Sequence, residues 1–294
     1  MRQRLSVQHK IRHGFLVLAL SPLAGFFAAS AGNAQTVEIG HCDGQCPVYE
    51  ASMNATRSTV VVHNLYAAGL NGDTGMADWV AYRLVPEAVG PASLLPRQWQ
   101  PDRLIGLTAE ADRIQTEELD FALVELGTPS VSPYGGVNEA PVDREDRARL
   151  APMTSFAKTP FWPELNNVSN MVPMPGNLRK GPWLQLEQTL NRHVQRHDAV
   201  NVVSGPLYII GQLSTNLSRS QLNPAAYFKV VISGDQAATF VFPHDMAQYD
   251  HFCNARASLS DVEAMSGLQL APGRKLAGSS SLYASLGCDQ AVGP

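Results

Sequence analysis

Short alternating or continuously apolar runs dominate the chain, and helical periodicity is confined to two stretches. Ser58–His63 is a β-branched run, and Trp79–Val85 alternates well enough for a strand. Phe121–Glu125, Val200–Val203 and Leu207–Ile210 are further short strand candidates. Tyr227–Ile232 and Ala238–Phe242 read as neighbouring strands joined by a turn at Gly234-Asp235. Pro182 suits the first turn of a helix that carries Trp183, Leu186, Leu190 and Val194 on one face. Ser260 with Glu263 makes a capping-box pattern for a second helix, which Gly267 is placed to stop. Between Arg103 and Asp146 no period is clear. An acidic run spans Glu110–Glu125 and a Gly-rich patch follows at Tyr134-Gly135-Gly136, as in a long surface insertion. No internal repeat or heptad appears, and no linker divides the chain convincingly.

The first residues follow a different logic. Arg2, Arg4, Lys10 and Arg12 make a basic start, and an apolar stretch from Phe15 to Ala31 ends in small residues before Gln35. This pattern predicts a signal peptide over 1–34, export to the periplasm or outside the cell, and a mature domain over 35–294. No later segment is apolar and long enough to span a bilayer, so no membrane attachment is expected after cleavage.

Composition narrows the function classes. The 294 residues are 45% hydrophobic and only 16% charged, which sets aside disordered tails and basic coat proteins. Losing the four basic residues of the leader takes the formal charge from −4 for the whole chain to −8. A protein this acidic gains no global attraction for a polyanion, so any phosphate site has to be a local basic cluster. The four cysteines, Cys42, Cys46, Cys253 and Cys288, all lie in the exported part and suggest two disulfides. Three pairings are possible, near-neighbour bridges being the simplest, and a metal site of His41 with cysteines is the rival reading.

The informative region runs from Asp146 to Ile210. Asp146-Arg147-Ala148-Arg149-Leu150-Ala151-Pro152 is followed by Ser169-Asn170-Met171-Val172-Pro173, then Gly181-Pro182-Trp183-Leu184-Gln185-Leu186-Glu187, then Gly205-Pro206-Leu207-Tyr208. In order and spacing this resembles the DNA/RNA non-specific endonuclease family of the ββα-metal superfamily, above all its secreted bacterial branch. Cys42–Pro47, His63–Asn71, Trp79-Val80-Ala81-Tyr82, Arg97-Gln98-Trp99, Ala226-Tyr227-Phe228-Lys229-Val230 and the surroundings of Cys253 and Cys288 also look like family counterparts. The resemblance supports the near-neighbour disulfide pairing. It implies an α+β fold: one mixed domain with a central antiparallel sheet flanked by helices, and a ββα-metal finger near Asp146–Asn191.

The resemblance further implies phosphodiester hydrolysis of DNA and RNA with Mg²⁺, by proteins that often dimerise. In the family motif D-R-G-H the histidine is the general base. The asparagine opening N-x-G-x-W is the direct protein ligand of the hydrated magnesium, arginines stabilise the phosphorane, and a glutamate one turn past the tryptophan orients a metal-bound water. This chain keeps Asp146, Arg147, Asn170, Trp183 and Glu187, and Arg97 matches an arginine of the phosphate clamp. The general-base position is Arg149, the glycine before it Ala148, and the metal-ligand position Arg179, followed by Lys180. Met174 and Asn191 replace a glutamine and an arginine.

An arginine keeps its proton and offers no free lone pair, so Arg149 does not act as a base. Nor does a guanidinium bind Mg²⁺; it repels it. The same exchanges add positive charge, and Arg97, Arg147, Arg149, Arg179 and Lys180 are expected to converge on phosphate. Three functions follow as alternatives: a nuclease-fold protein that binds nucleic-acid phosphodiesters with little or no hydrolysis, a working endonuclease with another base and a rearranged metal site that could use Asn177, or a non-catalytic envelope interaction module. Blander uses stand beside these. The arginines read equally as surface charges, Trp79 and Trp183 as core residues, Asp146 and Asn170 as structural, and His193, His197, His244 and His251 as solvent-facing. Asn54, Asn167 and Asn216 lie in glycosylation sequons.

Overall fold

The computed structural model describes residues 39–50, 58–71, 76–100, 102–104, 147–208 and 224–288, all within the unit Thr36–Pro294. The predicted leader, Phe121–Glu125, Tyr134-Gly135-Gly136, Asp146, Ile209-Ile210 and the sequons at Asn54 and Asn216 lie outside the described residues.

The architecture is α+β, built on an antiparallel sheet. Its strands are β2 (Ser58–Val62), β3 (Ala67–Asn71), β4 (Ala77–Leu84), β7 (Val200–Leu207), β8 (Ala226–Ser233), β9 (Gln236–Pro243) and β10 (Arg256–Ala257), in the order β10-β9-β8-β7-β4-β3-β2. β12 (Ala277–Gly278) adds to β9 in parallel. β1 (Val48–Tyr49) pairs separately with β11 (Leu268–Gln269). The predicted strand Val200–Val203 extends to Leu207, the first residue of the second predicted run. Pro206 sits inside it opposite Tyr227, and the ladder to β8 runs on to Leu207.

Alternation sorts the strands' side chains onto two cores. Val80, Tyr82, Val202, Tyr227, Val231 and Phe242 pack on one face with helix α2 (Pro182–Val194), through Trp183, Leu186, Leu190 and Val194. Trp79, Val203, Phe228, Val230 and Ile232 pack on the other with Val262 of α3 (Leu259–Ser266). The α3 cap differs from expectation. The box is Ser258 with Asp261, two residues earlier than Ser260 with Glu263, while Gly267 ends the helix at φ 70° as anticipated. Glu263 instead accepts from the Leu270 amide. A last helix, α4 (Ser280–Ser285), is capped by Ser279.

The ββα unit lies on the first face. β5 (Arg147–Arg149) pairs antiparallel with β6 (Met171–Pro173), and a short helix α1 (Gly176–Lys180) leads through Gly181 into α2. Tyr227 on β8 donates to the Pro173 carbonyl at 2.5 Å and Ser204 on β7 to the Leu150 carbonyl at 3.2 Å, which fastens the unit to the sheet. The disulfides are Cys42–Cys46 and Cys253–Cys288. Both cysteines of the first pair are therefore committed, which removes the metal reading at His41; that imidazole Nε2 bonds the His63 carbonyl at 2.9 Å. Asn167 is buried and its side chain accepts from Gln100, so the fold hides that sequon.

His193 is not solvent-facing as expected. It is buried near the end of α2, with the exposed His197 ring stacked 4.5 Å away. Burial, then His197, holds its pKa below the ordinary 6.5, against the Ser285 carbonyl. The unfolded chain therefore takes up a proton that the native state refuses. Stability is predicted to fall as pH drops below about 6.5, and His193→Phe to flatten that part of a urea-denaturation pH profile. An unchanged profile in the variant contradicts this.

Candidate phosphate-binding site

The ββα unit and the segment before it enclose a cavity of about 340 Å³. Its wall includes Arg97, Arg147, Arg149, Arg179, Lys180, Trp183 and Glu187. Seven residues singled out from sequence thus share one surface, although they come from four separate stretches of chain. β5 presents Arg147 and Arg149, α1 ends in Arg179 and Lys180, α2 supplies Trp183 and Glu187, and Arg97 arrives from the segment after Leu95. Asn170 does not line the cavity. Fully buried, it accepts from the Ala151 amide at 2.8 Å and donates to the carbonyls of Ala151 and Leu165, both at 3.0 Å, which shapes the turn after β5.

Arg149 is held by its surroundings. Its Nε donates to the Leu165 carbonyl at 3.2 Å, and its Nη2 to the Arg97 carbonyl at 2.9 Å and to Asn166 Oδ1 at 2.5 Å. The guanidinium carbon lies 4.3 Å from the centre of the Trp99 ring, a cation–π stack. Trp99 is buried, so its ring serves this arginine. Burial first, then the charges of Arg97 and Arg179, lower the Arg149 pKa to about 10. At neutral pH it remains a cation.

Glu187 faces the cavity but its charge is already engaged. Lys229 Nζ lies 3.1 Å from Glu187 Oε1 and 4.0 Å over the Trp183 ring, and the lysine is fully buried. Burial pushes the carboxyl pKa up and the ammonium pKa down, each opposed by the charge of the other. Lys229 was not singled out as a site residue, yet a signal existed. It is the one charge in the apolar run Tyr227–Ile232 of a strand covered on both faces, and a charge there needs a partner.

A hydrated Mg²⁺ does not fit this donor set. Among the described lining residues Glu187 is the only carboxylate, and it faces four guanidiniums and an ammonium. Asn177, the alternative ligand, is exposed and outside the lining. No histidine lines the cavity among the described residues. His244 stacks on Tyr227 at 6.3 Å, and His63 belongs to a larger cavity of about 780 Å³ with Asp102 and Glu164. There Asp102 accepts from both His63 Nε2 and Ser169 Oγ. Burial raises its pKa, but these bonds and the Leu104 amide outweigh it and leave the carboxyl below its usual range. The carboxylate sits between the other two, so the histidine does not activate the serine.

The model of the family described as DNA/RNA non-specific endonuclease matches residues 46–276. The chain belongs to that family. It is 30% identical over 262 residues to a nuclease of Serratia marcescens, covering 86% of this chain and 87% of that one. Its fold is similar to a chain of the EndoG/EndoGI complex, with a TM-score of 0.55 at 18% identity over 74% of this chain and 89% of that chain.

The Lys229–Glu187 pair makes a stability prediction. Lys229→Met leaves a buried carboxylate without its counter-ion and is expected to cost about 3–5 kcal/mol in urea denaturation. Adding Glu187→Leu should recover most of that loss. A double variant as unstable as the single one contradicts the pairing.

Proposed function

We propose that this family member binds nucleic-acid phosphodiesters in the arginine cavity and hydrolyses them weakly or not at all. The observation that carries the reading is the meeting of Arg97, Arg147, Arg149, Arg179 and Lys180 on one cavity, with its only described carboxylate tied to Lys229. Guanidiniums fork onto phosphate oxygens and are weakly hydrated, so they hold a phosphate without a bridging cation. Arg149 is fixed by the Leu165 and Arg97 carbonyls and by Trp99, so little side-chain freedom is lost when it meets the ligand. Hydrolysis needs a base for water as well. Loss of a positioned base alone costs about 10² to 10⁴ in rate, and the metal-ligand position is lost with it. The site of action is proposed to be the periplasm or the outside of the cell, with residues 1–34 as the signal peptide. The two disulfides fit an oxidising compartment.

Binding of labelled single-stranded and duplex DNA, titrated against salt, tests the reading. Affinity is predicted to fall steeply with salt, and Lys180→Ala to reduce the slope of log K against log salt by roughly one. Salt-insensitive binding, or none, overturns it. Digestion of plasmid or RNA with Mg²⁺ or Mn²⁺, abolished by EDTA, would establish a working nuclease instead.

A further inference from the structure

The strongest feature left unused is an exposed aromatic ring beside the basic cavity. Tyr249 is 92% exposed, and no other Phe, Tyr or Trp among the described residues approaches that; Phe161 is next at 45%. A ring this exposed is open to a ligand, and its place beside the start of α2 is what gives it interest.

The loop that carries it, residues 244–251, is built to stay in place. It runs from β9 to the turn Phe252–Ala255, which Cys253 bridges to Cys288. The His244 amide donates to the Ala225 carbonyl at 2.9 Å and the Met246 amide to Pro243 at 3.1 Å. Asp250 closes the tip, its amide donating to the Ala247 carbonyl at 3.1 Å and its Oδ2 accepting from the Ala247 amide at 3.2 Å. Met246 is buried beneath.

The tip is seated on the start of α2. Gln185 Nε2 donates to the Asp250 carbonyl at 3.3 Å. The Gln248 backbone presses so closely on Gly181 that a Cβ there would lie 2.3 Å from the Gln248 carbonyl oxygen, which only glycine allows. Gly181 directly follows Arg179 and Lys180 of the cavity wall. Gly181 and Gln185, one turn apart, meet the loop, while Trp183, Leu184 and Glu187 line the cavity. The loop therefore meets one side of the start of α2 and the cavity lies along another, with Lys180 of the cavity wall next to Gly181 in the chain.

We propose that Tyr249 is a stacking platform for an unpaired nucleobase next to the arginine cavity, so that the site prefers single-stranded to duplex nucleic acid. The proposal rests on the phosphate-binding reading above and adds the class of ligand. An aromatic face beside a basic groove is what sequence-tolerant binding of single strands requires, because every base has a π-face. In a duplex those faces are occupied by neighbouring bases. Asp245 and Asp250 give the loop no attraction for phosphate, so its contribution is separable from the arginines by its indifference to salt.

The test compares the wild-type protein, Tyr249→Ala and Tyr249→Phe for binding to a labelled oligonucleotide as a single strand, to the same sequence as a duplex, and to inorganic phosphate. Tyr249→Ala is expected to weaken single-strand binding by about ten-fold, within the range for one stacked base. The salt slope, duplex and phosphate affinities and Tm should not move, and Tyr249→Phe should bind like wild type. Single-strand affinity unchanged in Tyr249→Ala overturns the platform while leaving the phosphate reading standing. So does an equal loss for single strand and duplex. A wild-type protein that binds no nucleic acid at all overturns both.

Discussion

Like charges brought together in a cavity repel, and the ligand site of this protein depends on how its fold offsets that repulsion. Arg149 is the clearest case. Its own burial first, then its neighbours Arg97 and Arg179, lower its pKa to about 10, so the arrangement carries a cost. Carbonyls from Leu165 and Arg97, the Asn166 amide oxygen and the face of Trp99 offset that cost locally. Behind them the buried Lys229–Glu187 pair engages the one carboxylate among the described residues that line the cavity. A site held in this state is prepared for an anion, which supplies the missing negative charge when it arrives.

The proposed reading accounts for two cations standing where the family resemblance implies a base and a metal ligand. The Arg149 guanidinium donates hydrogen bonds to the Leu165 and Arg97 carbonyls, so it has a structural tie as well as a charge. Arg179 lies in the last turn of α1, just before the Gly181 contact that seats the 244–251 loop. Each exchange is unfavourable for Mg²⁺ chemistry and favourable for holding phosphate directly. Both readings use the ββα unit as an unaltered support, fastened to the sheet by Tyr227 and Ser204.

Much of this was legible in the residues. The strand runs at Ser58, Trp79, Tyr227 and Ala238, the Pro182 helix with its apolar face and the Gly267 stop all follow from local periodicity and cap chemistry, which are short-range. What failed was also physical. Val200–Val203 reads as a strand separate from the next, yet β7 continues through Pro206, which pairs with β8 alone because the β4 ladder stops at Ser204, and the Ser260 box yielded to Ser258, whose side chain reaches the Asp261 amide at 3.0 Å. The convergence of the arginines was an expectation from motif order. Lys229 was missed beside the cavity because its meaning lies in a neighbour 42 positions away, Glu187. A lone lysine in an apolar strand was a readable hint.

The most direct measurement is Mg²⁺-dependent digestion of plasmid DNA by the natural protein beside Arg149→His/Arg179→Asn, with Tm recorded for both. The account predicts that the double variant gains cleavage abolished by EDTA while the natural protein leaves the plasmid intact. A natural protein that cuts as fast as the variant would contradict it.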